Sequence, residues 1–278
     1  MTGRLDGKVA AITGSASGFG EAAARLFVAE GARVALGDIQ VEAGRAIADD
    51  LGEAARFIEC DVTSEDDVAA LADLAVDNFG QLDVMFNNAG IVGARGPIDQ
   101  IPAPEWEFTI DVLLHGVFYG MKHAARVMKP RHTGSIISMA STAGVIGGLG
   151  PHAYAAAKHA VVGLTKNAGA ELCRFGIRVN CIAPHSMATP MVAMAHLGDP
   201  DDIDAVLAEL REKSPLAGRP GLAADVANAA LWLASDESGY TNGHCLTTDA
   251  GVTTGSKAND APYSEPMPIM REAGRTGM

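Results

Sequence analysis

At 278 residues the chain is long enough for one α/β domain with a sizeable core. Its 34 acidic against 21 basic residues, a formal charge of -13, argue against general affinity for nucleic acid or anionic membranes. No apolar stretch of signal-peptide or spanning length follows Met1, so the expected compartment is the cytosol (cytoplasmic). Cys60, Cys173, Cys181 and Cys245 are scattered beside apolar stretches without Cys-x-x-Cys spacing, which predicts reduced core thiols. The histidines show no His-Glu-x-x-His arrangement, so no catalytic metal is expected.

The first predicted strand, 8–12, leads into Thr13-Gly14-Ser15-Ala16-Ser17-Gly18-Phe19-Gly20 and then the helix-forming run Glu21 to Glu30. Glycines at 14, 18 and 20 let this loop turn tightly and approach a pyrophosphate. Free amides at Ser17, Gly18, Phe19 and Gly20 and the positive end of the helix would meet its charge. A second strand, 33–37, ends at Asp38, about twenty residues on, where an acid can bind the adenosine ribose hydroxyls. Asp38 would repel the extra phosphate of NADP, and neither Ser15 nor Ile39 is an arginine, so NAD is the predicted cofactor. The plainer alternative for Asp38 is a loop aspartate at a strand end.

Further apolar runs at 56–60, 82–86, 134–139, 177–182 and 244–248 alternate with helical stretches. Seven strands with right-handed crossovers predict one Rossmann-like, doubly wound three-layer α/β domain over 1–255. The fourth strand is followed by Asn88, Ala89 and Gly90, at the carboxyl end where open α/β sheets bind ligands. Two stretches break the alternation. Residues 187–220 are expected to form a lid, with Met187, Met191 and Met194 either facing substrate or packing the lid onto the body. Residues 256–278, rich in Pro, Gly and Met, predict an irregular tail, disordered or draped over a neighbouring subunit.

Candidate chemistry sits in His152-Ala-Tyr-Ala-Ala-Ala-Lys158, where a helix puts Tyr154 and Lys158 on one face. A neighbouring ammonium is expected to lower the phenol pKa from about 10, so that Tyr154 can exchange a proton with an alcohol. Ser141 follows the strand 134–139, and its hydroxyl could meet the phenol across the strand end. The stretch Thr142 to Gly150 is small and apolar, leaving room beside these hydroxyls near Gly148. No arginine cluster stands there to clamp an acidic substrate.

Taken in order, Thr13-Gly14-x-x-x-Gly18-x-Gly20, Asp38, Asp61-Val62, Asn87-Asn88-Ala89-Gly90, Ser141, Tyr154-x-x-x-Lys158, Pro184 and Thr189 resemble the short-chain dehydrogenase/reductase family over about 7–251. The resemblance implies that Asp61 and Val62 contact the adenine. It also implies that Lys158 binds the nicotinamide ribose, and that Thr189 with the backbone near Pro184 and Met187 holds the carboxamide. The implied reaction is reversible oxidation of a secondary alcohol, in which Tyr154 takes the hydroxyl proton, Ser141 holds the oxygen and NAD accepts hydride.

A narrower resemblance, over 144–160 and 176–189, is to the plant-type branch containing xanthoxin, secoisolariciresinol and monoterpenol dehydrogenases. It implies a hydrophobic, cyclic, terpenoid-like alcohol or ketone in a pocket formed by Ser141, Gly148, Tyr154, His185, Met191 and Met194. A homotetramer built through the helices 104–128 and 152–175 and the last strand is implied as well.

Two positions depart from the family pattern. Leu113 replaces the usual asparagine of a water and proton path from the lysine, with His115 as a substitute donor or an ordinary helix histidine. His185 replaces a common glycine after Pro184. A dinucleotide-binding protein without turnover, or a reductase working from the ketone, shares these same residues.

Overall fold

The computed structural model describes residues 3–255, together with Pro266 and Ile269. The expected irregular tail, 256–278, lies otherwise outside the described residues. Seven parallel strands form one sheet: β1 (Val9–Thr13), β2 (Arg33–Asp38), β3 (Ala55–Glu59), β4 (Val84–Asn87), β5 (Gly134–Met139), β6 (Ile177–Pro184) and β7 (Cys245–Thr248). Their order is β3-β2-β1-β4-β5-β6-β7, so the chain reverses its direction of travel between β1 and β4. That switch point opens a crevice above the carboxyl ends of the two strands.

Both faces of the sheet are covered, because residue alternation in each strand feeds two separate cores. Val9, Ala11, Met85, Ile136 and Val179 point to α3 (Glu65–Phe79), α5 (Gly116–Met128) and α6 (His152–Leu172). Ala10, Ile12, Val34, Phe86 and Ile137 point the other way, to α1 (Gly18–Ala29), α2 (Val41–Leu51) and α9 (Ala223–Ala234). Small residues let α1 and α9 lie close, with Ala23 and Ala24 on one helix and Ala227 and Ala230 on the other, all buried. Phe27 fills the space between α1 and the sheet.

The stretch predicted as one helix over 104–128 is interrupted. α4 (Ala103–Ile110) passes into a wider π-helical turn, Asp111–His115, before α5. The amide of Gly116 there donates to the Asp111 carbonyl, five residues back, in place of the regular four. In 187–220, α7 (Pro190–Leu197) and α8 (Ile203–Lys213) pack on each other through Ala193, Val206 and Leu210. The segment is tied to the body where the Ala188 amide donates to the Gly221 carbonyl.

Of the cysteines expected in the core, Cys60 and Cys181 are buried and all four are free thiols, but Cys173 is exposed, in a short turn after α6. Among the described residues no helix is long and apolar enough to cross a membrane, and no group of three or more His, Cys, Asp or Glu could hold a metal ion.

Phe27 is fully buried in the second core. Phe27→Ala is therefore expected to cost about 3–5 kcal/mol of stability in urea unfolding. A loss under about 1 kcal/mol would mean that α1 does not depend on this contact.

Candidate active site

The crevice at the switch point is a cleft of about 310 Å³ lined by Gly14, Ser17, Gly18, Phe19, Asp38, Ile39, Asp61, Val62, Asn88, Ala89 and Gly90, with Thr189 and Met191 across it. The first amides of α1 face it, and no side chain caps them. Gly14 and Gly18 have φ of +65° and +55°, and a Cβ on Gly20 would stand 2.0 Å from the Gly14 carbonyl oxygen. The loop is therefore a bare backbone cradle beside a helix N-terminus, which suits a pyrophosphate.

Two polar anchors set its position. The Thr13 hydroxyl accepts from the amides of Asn88 and Ala89 at 3.0 and 3.1 Å. The Asn88 side-chain nitrogen, Nδ2, donates to the carbonyls of Thr13 and Gly14 at 3.0 and 2.9 Å. Asn88 thus fastens the glycine loop to the end of β4.

Asp38 is buried at the end of β2, where its carboxylate accepts from the amides of Ala16 and Gln40, each at 2.9 Å. Those bonds aim it along the cleft, and its remaining lone pairs are free for ribose hydroxyls. Ile39 is 65% exposed at the cleft edge and brings no cation. Asp61 accepts from the Thr63 amide and hydroxyl at 2.9 and 2.8 Å, which shapes the turn that carries Val62 to the cleft. Sequence reasoning did not mark Ile91, Phe108 and Val112, which also line it. Their signal is weak, being three apolar residues spread over a loop and a helix.

At the end of β5 the chain turns at Ser141, whose hydroxyl accepts from the Ala143 amide at 3.1 Å. The short turn Thr142–Gly144 then lies against α6. A Cβ on Gly144 would be 2.6 Å from the Lys158 main chain, so this approach needs a glycine. Tyr154 and Lys158 share the facing side of α6, as expected. Lys158 is 3% exposed, and its ammonium donates to the Met139 carbonyl at 2.7 Å and stands 5.4 Å from the Tyr154 ring centre.

The expected effect of Lys158 on the phenol is not what this arrangement produces. Burial raises the Tyr154 pKa, the Ser141 hydroxyl pulls it down, and burial wins. Burial also lowers the Lys158 pKa to about 8. The ammonium bonds the Met139 carbonyl, and desolvation, a tertiary quantity, sets both directions.

The remaining candidates divide. Pro184 is buried at the end of β6. The Thr189 hydroxyl, at the start of α7, donates to the Met187 carbonyl at 3.4 Å and accepts from the Val192 amide at 3.4 Å. Met187 is buried in the body core, so its side chain packs and does not face the cleft. Met191 and Met194 are 42% and 55% exposed, and of the two only Met191 lines the cleft. Gly148 lies in an exposed loop at φ +83°.

His185 is half-buried against the Thr142 hydroxyl, 3.2 Å away. His115 is exposed and paired with Asp111 at 2.8 Å, so it does not substitute for a polar residue at Leu113, which is fully buried.

The family pattern described as "Enoyl-(Acyl carrier protein) reductase" matches residues 14–253. The chain belongs to the short-chain dehydrogenase/reductase family. It is 46% identical over 260 residues to the xanthoxin dehydrogenase of Arabidopsis thaliana, covering 90% of this chain and 91% of that protein. It is 45% identical over 262 residues to (+)-borneol dehydrogenase 2 of Salvia officinalis, covering 92% of each. The crystal structure of levodione reductase superposes with a TM-score of 0.82 at 34% identity, covering 90% of this chain and 99% of that one. As a member of this family the protein is an oxidoreductase that uses a nicotinamide cofactor, and the bare glycine cradle with its uncapped helix fits that group.

Lys158 titrates at about 8 in the folded protein against 10.5 ordinarily. Between these values the unfolded chain holds a proton that the native chain lacks, so stability rises with pH across the window. Below it, the native state carries the cost of a buried charge. Wild type is therefore expected to gain urea stability between about pH 8 and 10.5 relative to Lys158→Met. Parallel pH curves for the two proteins would contradict the assignment.

Proposed function

We propose that the protein interconverts a hydrophobic, cyclic secondary alcohol and its ketone with NAD, working as an alcohol dehydrogenase. The observation that carries this reading is the convergence of Ser141, Tyr154 and Lys158 beside a cleft that Asp38 lines with no Lys or Arg among the described residues of its wall. Asp38 disfavours the added phosphate of NADP by charge repulsion, which supports NAD. Bound NAD would supply the hydride acceptor. Tyr154 exchanges the proton of the substrate hydroxyl, and Ser141 holds the same oxygen and stabilises charge developing on it. Lys158 holds a positive charge under the ring and keeps donors free for a ribose, since only one of its three is used by Met139.

Relatives named for borneol and xanthoxin, together with the absence of an arginine cluster near Ser141, support a neutral, cyclic, terpenoid-like substrate. The segment 187–220 serves as the lid, a role supported by its attachment at its two ends, through Met187 and Ala188 and through Arg219 to Asp225, and by the exposed apolar faces of Met191 and Met194 between them.

The homotetramer is likewise part of this proposal. Phe118 is 45% exposed on α5 and stands outside the cleft, apolar surface that a second copy would cover. Light scattering is expected to give four chains per particle, and a monomer would remove this part of the reading.

The test is formation of reduced nicotinamide from NAD, then NADP, across cyclic terpenoid, steroid, lignan and aliphatic secondary alcohols. Turnover with NAD and a cyclic alcohol is expected. Tyr154→Phe should lower it by about 10²-fold or more while NAD still binds. A phenol is protonated at neutral pH and burial moves the Tyr154 pKa further up, so alcohol oxidation should rise towards alkaline pH, whereas ketone reduction should hold up at lower pH. Full activity of Tyr154→Phe, or identical profiles in the two directions, would sink the acid-base role.

A further inference from the structure

A second cavity, of about 290 Å³, lies between α8, the segment 214–221 and the end of β7. The chain from His185 to Met187 forms its inner wall, and the residues that follow, Thr189 to Met191, line the cofactor cleft. One strip of backbone therefore separates two spaces of similar size. Leu210, Pro215, Leu216 and Ala250 supply an apolar lining, which is the usual character of a small-molecule site.

The charged groups around it are already matched to one another. Lys213 pairs with Glu209 at 2.7 Å, His196 with the same carboxylate at 3.3 Å, and Arg219 with Asp225 at 2.9 Å. The Asp249 carboxylate accepts from the Gly251 amide and from the amide and hydroxyl of Thr253. No unmatched charge remains among these residues to draw in an ion.

Ser186, Ser214 and His185 are polar side chains that stay available among the described residues, and of these His185 also reaches the turn after Ser141. Its amide donates to the Thr248 carbonyl, and Nδ1 shares a hydrogen bond with the Thr142 hydroxyl at 3.2 Å. Among the described residues Nε2 has no partner. Burial lowers its pKa, so the ring is neutral near pH 7, with one nitrogen engaged by Thr142 on a residue that lines the cavity.

We propose that this cavity is a second small-molecule site, taking a neutral, compact hydrocarbon skeleton with one oxygen that hydrogen-bonds Nε2 of His185. Through Thr142 the occupant would press on the turn that begins at Ser141, so the site adjoins the catalytic hydroxyls without sharing the cofactor cleft.

The probe is 1-adamantanol, a tertiary alcohol that has no carbinol hydrogen and cannot be oxidised, titrated calorimetrically into the full chain. Saturable binding is expected. Its affinity should fall about tenfold or more in Leu216→Trp, which fills the cavity from an exposed position, and in Ser214→Phe from the same wall. His185→Ala should weaken it roughly three- to tenfold, the loss of one hydrogen bond. Circular dichroism and NAD affinity serve as the check that each variant is folded. Wild-type affinity in the folded Trp and Phe variants, or no binding by wild type, overturns the site. The readout needs no turnover, so its failure is distinguishable from failure of the dehydrogenase reading.

Discussion

An ammonium group with almost no access to water must find an acceptor, and Lys158 finds the Met139 carbonyl at the end of β5. Much of the site follows from that bond. It fixes α6 against the strand end, and with it Tyr154, one turn earlier on the same face. It also explains why the residues around the turn after Ser141 are so small. Ala140, Ala143, Gly144 and Ala157 are buried, and anything larger at Gly144 would push α6 away from the strand that supplies the acceptor. The cost of desolvating the charge shows in the Lys158 pKa, drawn down to about 8, and the packing around it offsets that cost.

The cofactor side rests on a different device. Here the charged side chains in the lining are the carboxylates of Asp38 and Asp61, and position comes from backbone hydrogen bonds relayed through two short side chains, Thr13 and Asn88. Because β1 and β4 are neighbours in the sheet, a threonine ending one strand can serve two amides just beyond the other. The glycine loop is consequently held from behind, and its free amides stay turned to the cleft. Rigid support and a bare inner surface are the two properties a pyrophosphate cradle needs.

Much of this was legible in the residues, for physical reasons that can be named. The seven strands lie within two residues of their predicted positions because a sheet buried on both faces is written as short apolar runs, and Val9 to Thr13 is fully buried along its length. Glycine spacing and the Tyr-Lys pair are local patterns, so they too could be read directly. The π-helical turn at 111–115 could not, because a change of hydrogen-bond partner by one residue leaves the apolar pattern of Val112, Leu113 and Val117 almost undisturbed. Met187 and Met191 look alike in sequence and differ only in which side of the 184–191 strip they face. The direction of the Tyr154 shift depends on how much protein surrounds the ring, which no window of sequence records. The contact between Thr142 and His185 joins residues 43 apart and was equally hidden.

Leu113 brings these threads together. It is fully buried in the wider turn, and its side chain approaches to 3.2 Å of where a Cβ on Gly90 would stand, just past the end of β4. The backbone irregularity is therefore kept while the side chain at its centre is apolar. A π-helical turn displaces the regular carbonyl partners, so polar main chain rather than a side chain is what this position can offer towards α6. Lys158 has two donors beyond the one given to Met139. His115 is turned outward to Asp111. With Leu113 apolar and His115 turned outward, the main chain of the opened turn, more than the identity of residue 113, is what a proton path on this side would depend on.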